Sequence, residues 1–272
     1  MKLPFKSALV TGGAGFIGSH LVEALISAGC RVAVLDNLST GSLTNLKRLK
    51  GKFSFFQDDI RNQKALSAAV EVCQVIFHLA AVVSVTQTVE NPIESAAVNE
   101  MGSLSVFETA REKGVQRVVF SSSCAVYGDD PRLPKLEDMA PKPLSPYAVQ
   151  KLAAEYYAQM FYDLHGLETT VLRYFNVYGP RQDPSSPYSG VISIFLTNAL
   201  LNQPAVIYGD GKQSRDFIFV QDVVRANLLA AATQGVGGQV INIGSGKSVA
   251  INQLWKTICS LSGQNIKPEY AP

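Results

Sequence analysis

The sequence predicts an α/β chain built on a doubly wound parallel sheet, and three observations carry that expectation. Short β-branched runs alternate with helical patterns over most of the chain, which places helices on both faces of a sheet whose strands run one way. A glycine-rich turn follows the first run directly and opens the first helix. The chain has 272 residues, 47% apolar and 17% charged, enough to bury a large core and too apolar for a disordered chain.

The elements follow in order. Ala8–Thr11 is a short apolar run stopped by glycine and reads as the first strand. Arg31–Leu35, Phe53–Gln57, Val75–Leu79, Arg117–Ser121, Thr169–Tyr174 and Val240–Ile243 read as the others. Helical patterns occupy His20–Ala28, Gln63–Val70, Pro92–Lys113 and Tyr147–His165. Gly29, Gly114 and Gly166 stand where helix C-caps belong. Ser145 and Pro146 supply an N-cap and a helix start before Tyr147. After Tyr178 the texture changes to a loop, Gly179-Pro180-Arg181-Gln182-Asp183-Pro184-Ser185-Ser186-Pro187, and then to mixed short elements up to about Val220. That stretch is expected to begin a smaller lobe over the carboxyl edge of the sheet. Gln221–Ala232 and Val240–Gly244 read as a return to the main sheet.

Composition narrows the function classes. Net charge is +2, and the run Lys47, Arg48, Lys50, Lys52 is most simply a solvated helix end, so no nucleic-acid partner is expected. Cys30, Cys73, Cys124 and Cys259 are scattered with no C-x-x-C, and His20, His78 and His165 share no ligand spacing. Neither a metal site nor a disulfide framework is expected, and a reducing cytoplasm fits best. Lys6 and Ser7 interrupt the opening residues where a signal peptide needs an unbroken apolar run. No stretch is long and apolar enough for a membrane span, so no membrane partner is expected.

Two patterns carry chemistry. Thr11-Gly12-Gly13-Ala14-Gly15-Phe16-Ile17-Gly18 lets backbone N–H groups and a helix N-terminus approach a pyrophosphate. Asp36 closes the second strand, 18 residues past Gly18, where a carboxylate accepts from an adenosine ribose and repels a 2′-phosphate. No Arg follows it directly, so NAD is expected over NADP. Tyr147 and Lys151 stand one helical turn apart on one face. The ammonium is expected to lower the phenol pKa. Ser121-Ser122-Ser123 ends a strand at the ligand-binding edge of such sheets.

The G-x-x-G-x-x-G spacing of Gly12, Gly15 and Gly18 resembles the extended branch of the short-chain dehydrogenase/reductase superfamily. Asp59-Ile60, His78-Leu79-Ala80-Ala81 and Asn99 agree with that branch. The resemblance implies a Rossmann domain and a Ser123, Tyr147, Lys151 triad. It implies cofactor contacts from Gly12, Gly15, Phe16, Ile17 and Gly18, and from Asp36 with Asn37, Ser39, Thr40 and Gly41. Asp59 and Ile60 would lie at the adenine, with Leu79, Ala80, Ala81 and Asn99 further along the cofactor and Tyr147 and Lys151 at its reactive end. His78 reads as a structural residue of the strand end.

Leu172-Arg173-Tyr174-Phe175-Asn176-Val177-Tyr178-Gly179, Tyr208-Gly209-Asp210-Gly211 and Arg215-Asp216-Phe217 resemble the members that modify nucleotide sugars, closest to UDP-glucose and UDP-N-acetylglucosamine 4-epimerases. By that resemblance Phe175 lies near the nicotinamide, Asn176 and Arg215 hold a UDP-sugar, and Ser84, Val191, Ser123 and Tyr147 line its site. Leu133-Pro134-Lys135, Lys142 to Tyr147 and the Arg181-Gln182-Asp183-Pro184 loop resemble the N-acetylhexosamine branch. Related dehydratases carry Asp-Glu directly after the triad hydroxyl residue and decarboxylases a Glu at the second position, where Cys124 and Ala125 stand here. Cys124 reads as a small buried residue or as an acid–base thiol, the latter one position away from that of 3,5-epimerases. Val83 stands where some 4-epimerases have Lys. Family members continue well past Pro272, so the substrate lobe is expected to be incomplete at its C-terminus. The expected domains are 1–176 with 221–246 for NAD, and 177–220 with 247–272 for substrate. Two function classes stay open: a working NAD-dependent 4-epimerase of UDP-hexoses, and a catalytically weak NAD-binding protein. Val106, Phe107, Tyr156, Tyr157, Met160 and Phe161 spread apolar surface around two helices that pair such proteins into homodimers, or else pack on the sheet.

Overall fold

A computed structural model describes residues 2–183 and 190–272. In chain order its elements begin with β1 (Ser7–Thr11), α1 (Phe16–Ser27), β2 (Arg31–Leu35), a 3-10 stretch Leu43–Leu49, β3 (Ser54–Phe56), α2 (Gln63–Val70) and β4 (Val75–His78). Next come α3 (Val85–Glu90), α4 (Pro92–Ala96), a π-helical turn Ala97–Gly102, α5 (Ser103–Glu112), β5 (Arg117–Ser123), a 3-10 turn Cys124–Tyr127, α6 (Pro146–His165) and β6 (Glu168–Tyr174). They are followed by β7 (Asn176–Tyr178), α7 (Val191–Leu200), β8 (Val206–Tyr208), β9 (Ser214–Phe219), α8 (Val220–Ala232) and β10 (Gln239–Ile243). The last are β11 (Ser248–Ala250), α9 (Ile251–Ser262) and β12 (Glu269–Ala271).

Two compact units result: Met1–Tyr174 with Gln221–Ile243, and Phe175–Val220 with Gly244–Pro272. The first holds a 7-stranded sheet in the order β10-β6-β5-β4-β1-β2-β3, every pair parallel. Helices cover both faces, so β1 and β4 are buried along their whole length and read as continuous apolar runs. The winding reverses between β1 and β4, where Thr11 and His78 are register partners. Beyond such a switch point the two loops diverge and leave a crevice. Leu66, Phe107, Phe120 and Phe161 lie in the core of this unit.

The expected helix Pro92–Lys113 is instead three pieces, α4, the π turn and α5. The extra residue per turn in a π-helix rotates the side chains that follow it, and this one carries the buried Asn99. Two short elements escaped the sequence pattern: α3, capped by Ser84, and the Leu43–Leu49 stretch, capped by Ser42. Each is too short for a periodic signal. The helix ends follow their chemistry: Ser145 Oγ accepts from Ala148 N at 3.2 Å, and Gly166 takes φ +66° to close α6.

The second unit has a three-stranded sheet β11-β9-β7, a β12-β8 pair, and a core of Phe195, Ile207, Leu254, Trp255 and Ile258. Phe175 and Asn176 fall in this unit, not in the first as expected, because β7 pairs with β9 rather than with the main sheet. Residues 244–246 join it as well, through Asp216. Among the described residues no helix is long and apolar enough to cross a membrane.

Candidate active site

The glycine-rich turn is shaped by two close approaches. Gly12 takes φ +69°, and a Cβ there would lie 2.8 Å from Ala80 N at the end of β4. A Cβ on Gly18 would collide with the Gly12 carbonyl oxygen. The turn therefore lies tight against α1, which begins at Phe16 with Gly15 as N-cap, without a side-chain cap and without an acid in its first turn. The first N–H groups of α1, at Phe16 and Ile17, have no partner within the helix, and with its partial positive charge they suit an anion.

Asp36 directly follows β2, buried, with Oδ2 accepting from Ala14 N at 2.9 Å and Oδ1 from Leu38 N at 2.8 Å. Each oxygen keeps a second lone pair. Gly41 packs against that carboxylate, and Asn37, Ser39 and Thr40 are exposed on the same loop. Asn37 Nδ2 donates to Asp59 at 2.9 Å. The Arg61 guanidinium beside Asp59 holds its carboxyl below the usual range. Ile60 is buried beside it. A glycine cradle that side chains would fill, an uncapped helix N-terminus and a carboxylate at the end of β2 fit a dinucleotide.

Across the switch point, Thr11 Oγ1 accepts from Leu79 N and Ala80 N, each at 3.2 Å, and meets His78 Nδ1 at 2.8 Å. His78 Nε2 meets Ser103 Oγ at 2.9 Å, and burial pushes its pKa down to about 3. His78 is therefore a neutral cross-link, in the structural role the sequence suggested. Asn99 is also a brace. Its Oδ1 accepts from Val82 N at 2.8 Å, and its Nδ2 donates to Val82 O and Gln150 Oε1 at 2.9 and 2.8 Å. Both amide hydrogens are thus engaged, so Asn99 shapes the strand end that carries Leu79, Ala80 and Ala81, all half-buried. Ser84, taken as a substrate contact, is buried and caps α3 by accepting from Gln87 N at 3.0 Å.

The triad comes from adjacent elements. Ser123 is the last residue of β5; its Oγ accepts from Ala125 N at 3.2 Å, and its hydroxyl lies close enough to Tyr147, in the first turn of α6, to favour the phenolate. Lys151, one turn on, is buried and donates to Ser121 O at 2.9 Å, its Nζ lying 5.0 Å from the centre of the Phe120 ring and 6.0 Å from that of Tyr147. Burial pushes Lys151 down to about 8. It also pushes Tyr147 up to about 12, with the Ser123 hydroxyl pulling the other way. The resting phenol therefore lies above its ordinary value, not below it as expected, because burial outweighs the nearby charges and the ammonium makes its hydrogen bond to a backbone carbonyl. Cys124, half-buried, packs against a small cluster of Val126, Tyr127 and Met139. Its charge, when present, would raise the Tyr147 pKa further.

A buried cluster that sequence reasoning missed lies behind the triad. Ser122 Oγ donates to Glu155, and Arg173 holds both Glu155 oxygens, with Nη2–Oε2 at 2.7 Å and Nε–Oε1 at 3.0 Å. Arg173 lay inside a quoted motif, but only the fold pairs it with Glu155.

In the second unit, Asn176 Nδ2 donates to Asp216 O at 3.0 Å, and the Asp216 carboxylate accepts from Ser245 N, Ser245 Oγ and Gly246 N. Phe175 lies against Gly244. Asn176, Val191, Phe195, Tyr208, Gln213 and Arg215 line a cavity of about 270 Å³. Its apolar wall and its amide and guanidinium groups suit a planar polar ring joined to an anion. Phe195 and Gln213 carried no motif signal. Of the Arg181-Gln182-Asp183-Pro184 loop, Pro184 lies outside the described residues, as do Ser185, Ser186 and Pro187.

Residues 8–244 match the NAD dependent epimerase/dehydratase family. The UDP-glucose 4-epimerase of Mycolicibacterium smegmatis is 42% identical over 268 residues, 97% of this chain and 85% of that protein. The crystal structure of the Thermotoga maritima UDP-glucose 4-epimerase with UDP-glucose superposes at a TM-score of 0.93, with 41% identity, over 98% of this chain and 85% of that one. The Methanobrevibacter ruminantium UDP-N-acetylglucosamine 4-epimerase, in complex with UDP-N-acetylmuramic acid, gives 0.94 and 40%, over 100% and 86%. With the family match covering most of the chain, and relatives 42% and 41% identical aligned over nearly all of it, the chain belongs to the NAD dependent epimerase/dehydratase family.

Proposed function

We propose that the protein interconverts the C4 epimers of UDP-hexoses, using NAD that is regenerated in each cycle. The observation that carries the reading is the Ser123–Tyr147 hydroxyl pair beside Lys151, followed by Cys124 and Ala125 where an elimination would need carboxylates. The 4-epimerase names of similar proteins support it. Bound NAD supplies the hydride acceptor and then the hydride donor, and its positive ring favours a nearby phenolate.

Tyr147 takes the proton from the sugar O4 as that carbon is oxidised, and Ser123 shares the hydrogen bond to the same oxygen. Lys151 keeps a positive charge within reach of the phenol. Tyr147 then returns the proton once the ketose presents its other face, so the reaction has no net redox change. Asn176, Val191 and Arg215 hold the UDP portion in the second unit, which is the substrate lobe in this reading. Asp36 selects NAD by accepting from a ribose diol. Asn99 and Ser84 contribute by shaping backbone.

The exposed residues Ile93, Met101, Val149, Tyr156, Met160 and Leu164 belong to α4, the π turn and α6. Exposed apolar area of this extent suits a second copy of the chain, and a homodimer is part of the proposal. Four cysteines that form no disulfide among the described residues suit the cytoplasm. Turnover of UDP-galactose and UDP-N-acetylgalactosamine by purified protein tests the reading. The expected products are the matching gluco sugars with no release of NADH. A 4-keto-6-deoxy product would make it a dehydratase. NAD binding with no turnover of either sugar would leave the weak NAD-binding protein.

A further inference from the structure

We propose that Glu155, clamped by Arg173, is a positioning residue that sets the separation of the Ser123 and Tyr147 hydroxyls through Ser122. The proposal rests on the catalytic roles assigned to that pair.

Tyr147, Lys151 and Glu155 stand at i, i+4 and i+8 of α6 and share one face. Two successive turns of that face are tied to successive residues of β5. Lys151 Nζ donates to Ser121 O at 2.9 Å, and Ser122 Oγ donates to Glu155 Oε1. Ser123 is the next residue, so the second tie fixes its distance from α6 within one peptide unit of the reacting hydroxyl. A carboxylate 3% exposed needs partners inside the protein, and Arg173, 4% exposed on β6, supplies a two-pronged one. Arg173 Nη1 donates to Tyr127 Oη at 2.9 Å, and Tyr127 Oη to Asn242 Oδ1 at 2.7 Å, which anchors the clamp on β10.

Stability does not account for this construction. Buried ion pairs are often replaced by apolar residues at no net cost to folding. Apolar packing, however, is non-directional and lets a helix slide against a strand. Directional bonds from Glu155 to both Ser122 and Arg173 hold one relative placement. Catalysis falls steeply when a reacting group is displaced by about 1 Å.

The carboxylate has a second effect, since it favours the ammonium form of Lys151 one turn away. The other groups facing Lys151 are Tyr147 on its own helix, Phe120 and Ser121 O from β5, and neutral His78 from β4.

Glu155→Gln alone strands a buried Arg173 and risks misfolding, so two other variants carry the test. Ser122→Ala removes the tie and leaves the ion pair intact. Glu155→Met with Arg173→Met removes both charges together. Both should keep NAD content, thermal midpoint and KM for UDP-galactose near the parent values while kcat falls about tenfold or more. In the double variant the alkaline limb of kcat should also move to lower pH; in Ser122→Ala it should stay. A crystal structure of Ser122→Ala gives a readout apart from activity, the Ser123 Oγ to Tyr147 Oη separation, which should be longer than in a crystal structure of the parent. Parental kcat in Ser122→Ala, or an unchanged separation, overturns the proposal. A parent protein that turns over no UDP-sugar overturns the functional reading instead, and the crystallographic separation still decides the positioning role.

Discussion

Tyr147 rests as a neutral phenol, pushed up to about 12 by burial, so the base role proposed for it requires a positive field. General acid–base groups are worth about 100- to 10,000-fold in rate. Tyr147→Phe should therefore lower kcat by at least that lower bound, with NAD still bound when the protein is denatured and its cofactor assayed. Ser123→Ala should cost less, because water can replace a hydroxyl. Lys151, pushed down to about 8, carries its charge below that pH and loses it above, so kcat should fall on the alkaline side as this group titrates. A pH profile of kcat checks this, and a flat profile to pH 9 would remove Lys151 from the mechanism. His78 works through stability. Its folded-state pKa of about 3 lies below the ordinary 6.5, so the unfolded chain takes up the proton first as the pH falls. Its contribution is complete above about 6.5 and is lost between 6.5 and 3. His78→Gln should flatten that part of a denaturation-against-pH curve.

At the scale of elements, α6 carries most of the site. Its start is set by Ser145 and Pro146, its end by Gly166, and its inner face by Tyr147, Lys151 and Glu155. Removing an N-cap of this kind costs about 1 kcal/mol. Ser145→Ala should lower the denaturation midpoint accordingly, and because Tyr147 sits in the first turn it should lower kcat as well; unchanged kcat would show that the first turn does not depend on its cap. The π turn works differently. It puts Asn99 between Val82 and Gln150, so it joins the end of β4 to α6. No periodicity in Pro92–Lys113 marks that turn, since one extra residue leaves the apolar pattern on either side intact.

Across the whole molecule, the apolar residues of α5 and α6 divide in a way the sequence pattern blurred. Val106, Phe107 and Phe161 belong to the core, while Tyr156 and Met160 are exposed at 61% and 47%. In the proposed dimer, packing on the sheet and pairing with a second copy would use different residues of α6. Tyr156→Glu with Met160→Glu should shift the protein toward monomer by light scattering at micromolar concentration, because a buried unpaired carboxylate opposes association. A monomeric parent would end the dimer reading. For the cofactor, Asp36→Ala should weaken preference for NAD over NADP by removing both the acceptor and the repulsive charge.

Local chemistry made much of this protein legible from residues alone. Strand and helix positions followed from apolar periodicity and glycine caps, and the cofactor turn, Asp36 and the Tyr147–Lys151 spacing lie within single strand–turn–helix units, where a few adjacent residues dictate the geometry. What the tertiary structure decided involves partners far apart in sequence. Glu155 finds Arg173 and Ser122 only when α6, β6 and β5 come together. Lys151 finds the Ser121 carbonyl rather than the Tyr147 phenol for the same reason. Asn99 becomes a brace through Val82 and Gln150, and Asn176 joins the second unit because β9 is its neighbour. A buried polar group must be satisfied by whatever the fold places beside it, and residue spacing along a chain does not encode that neighbour.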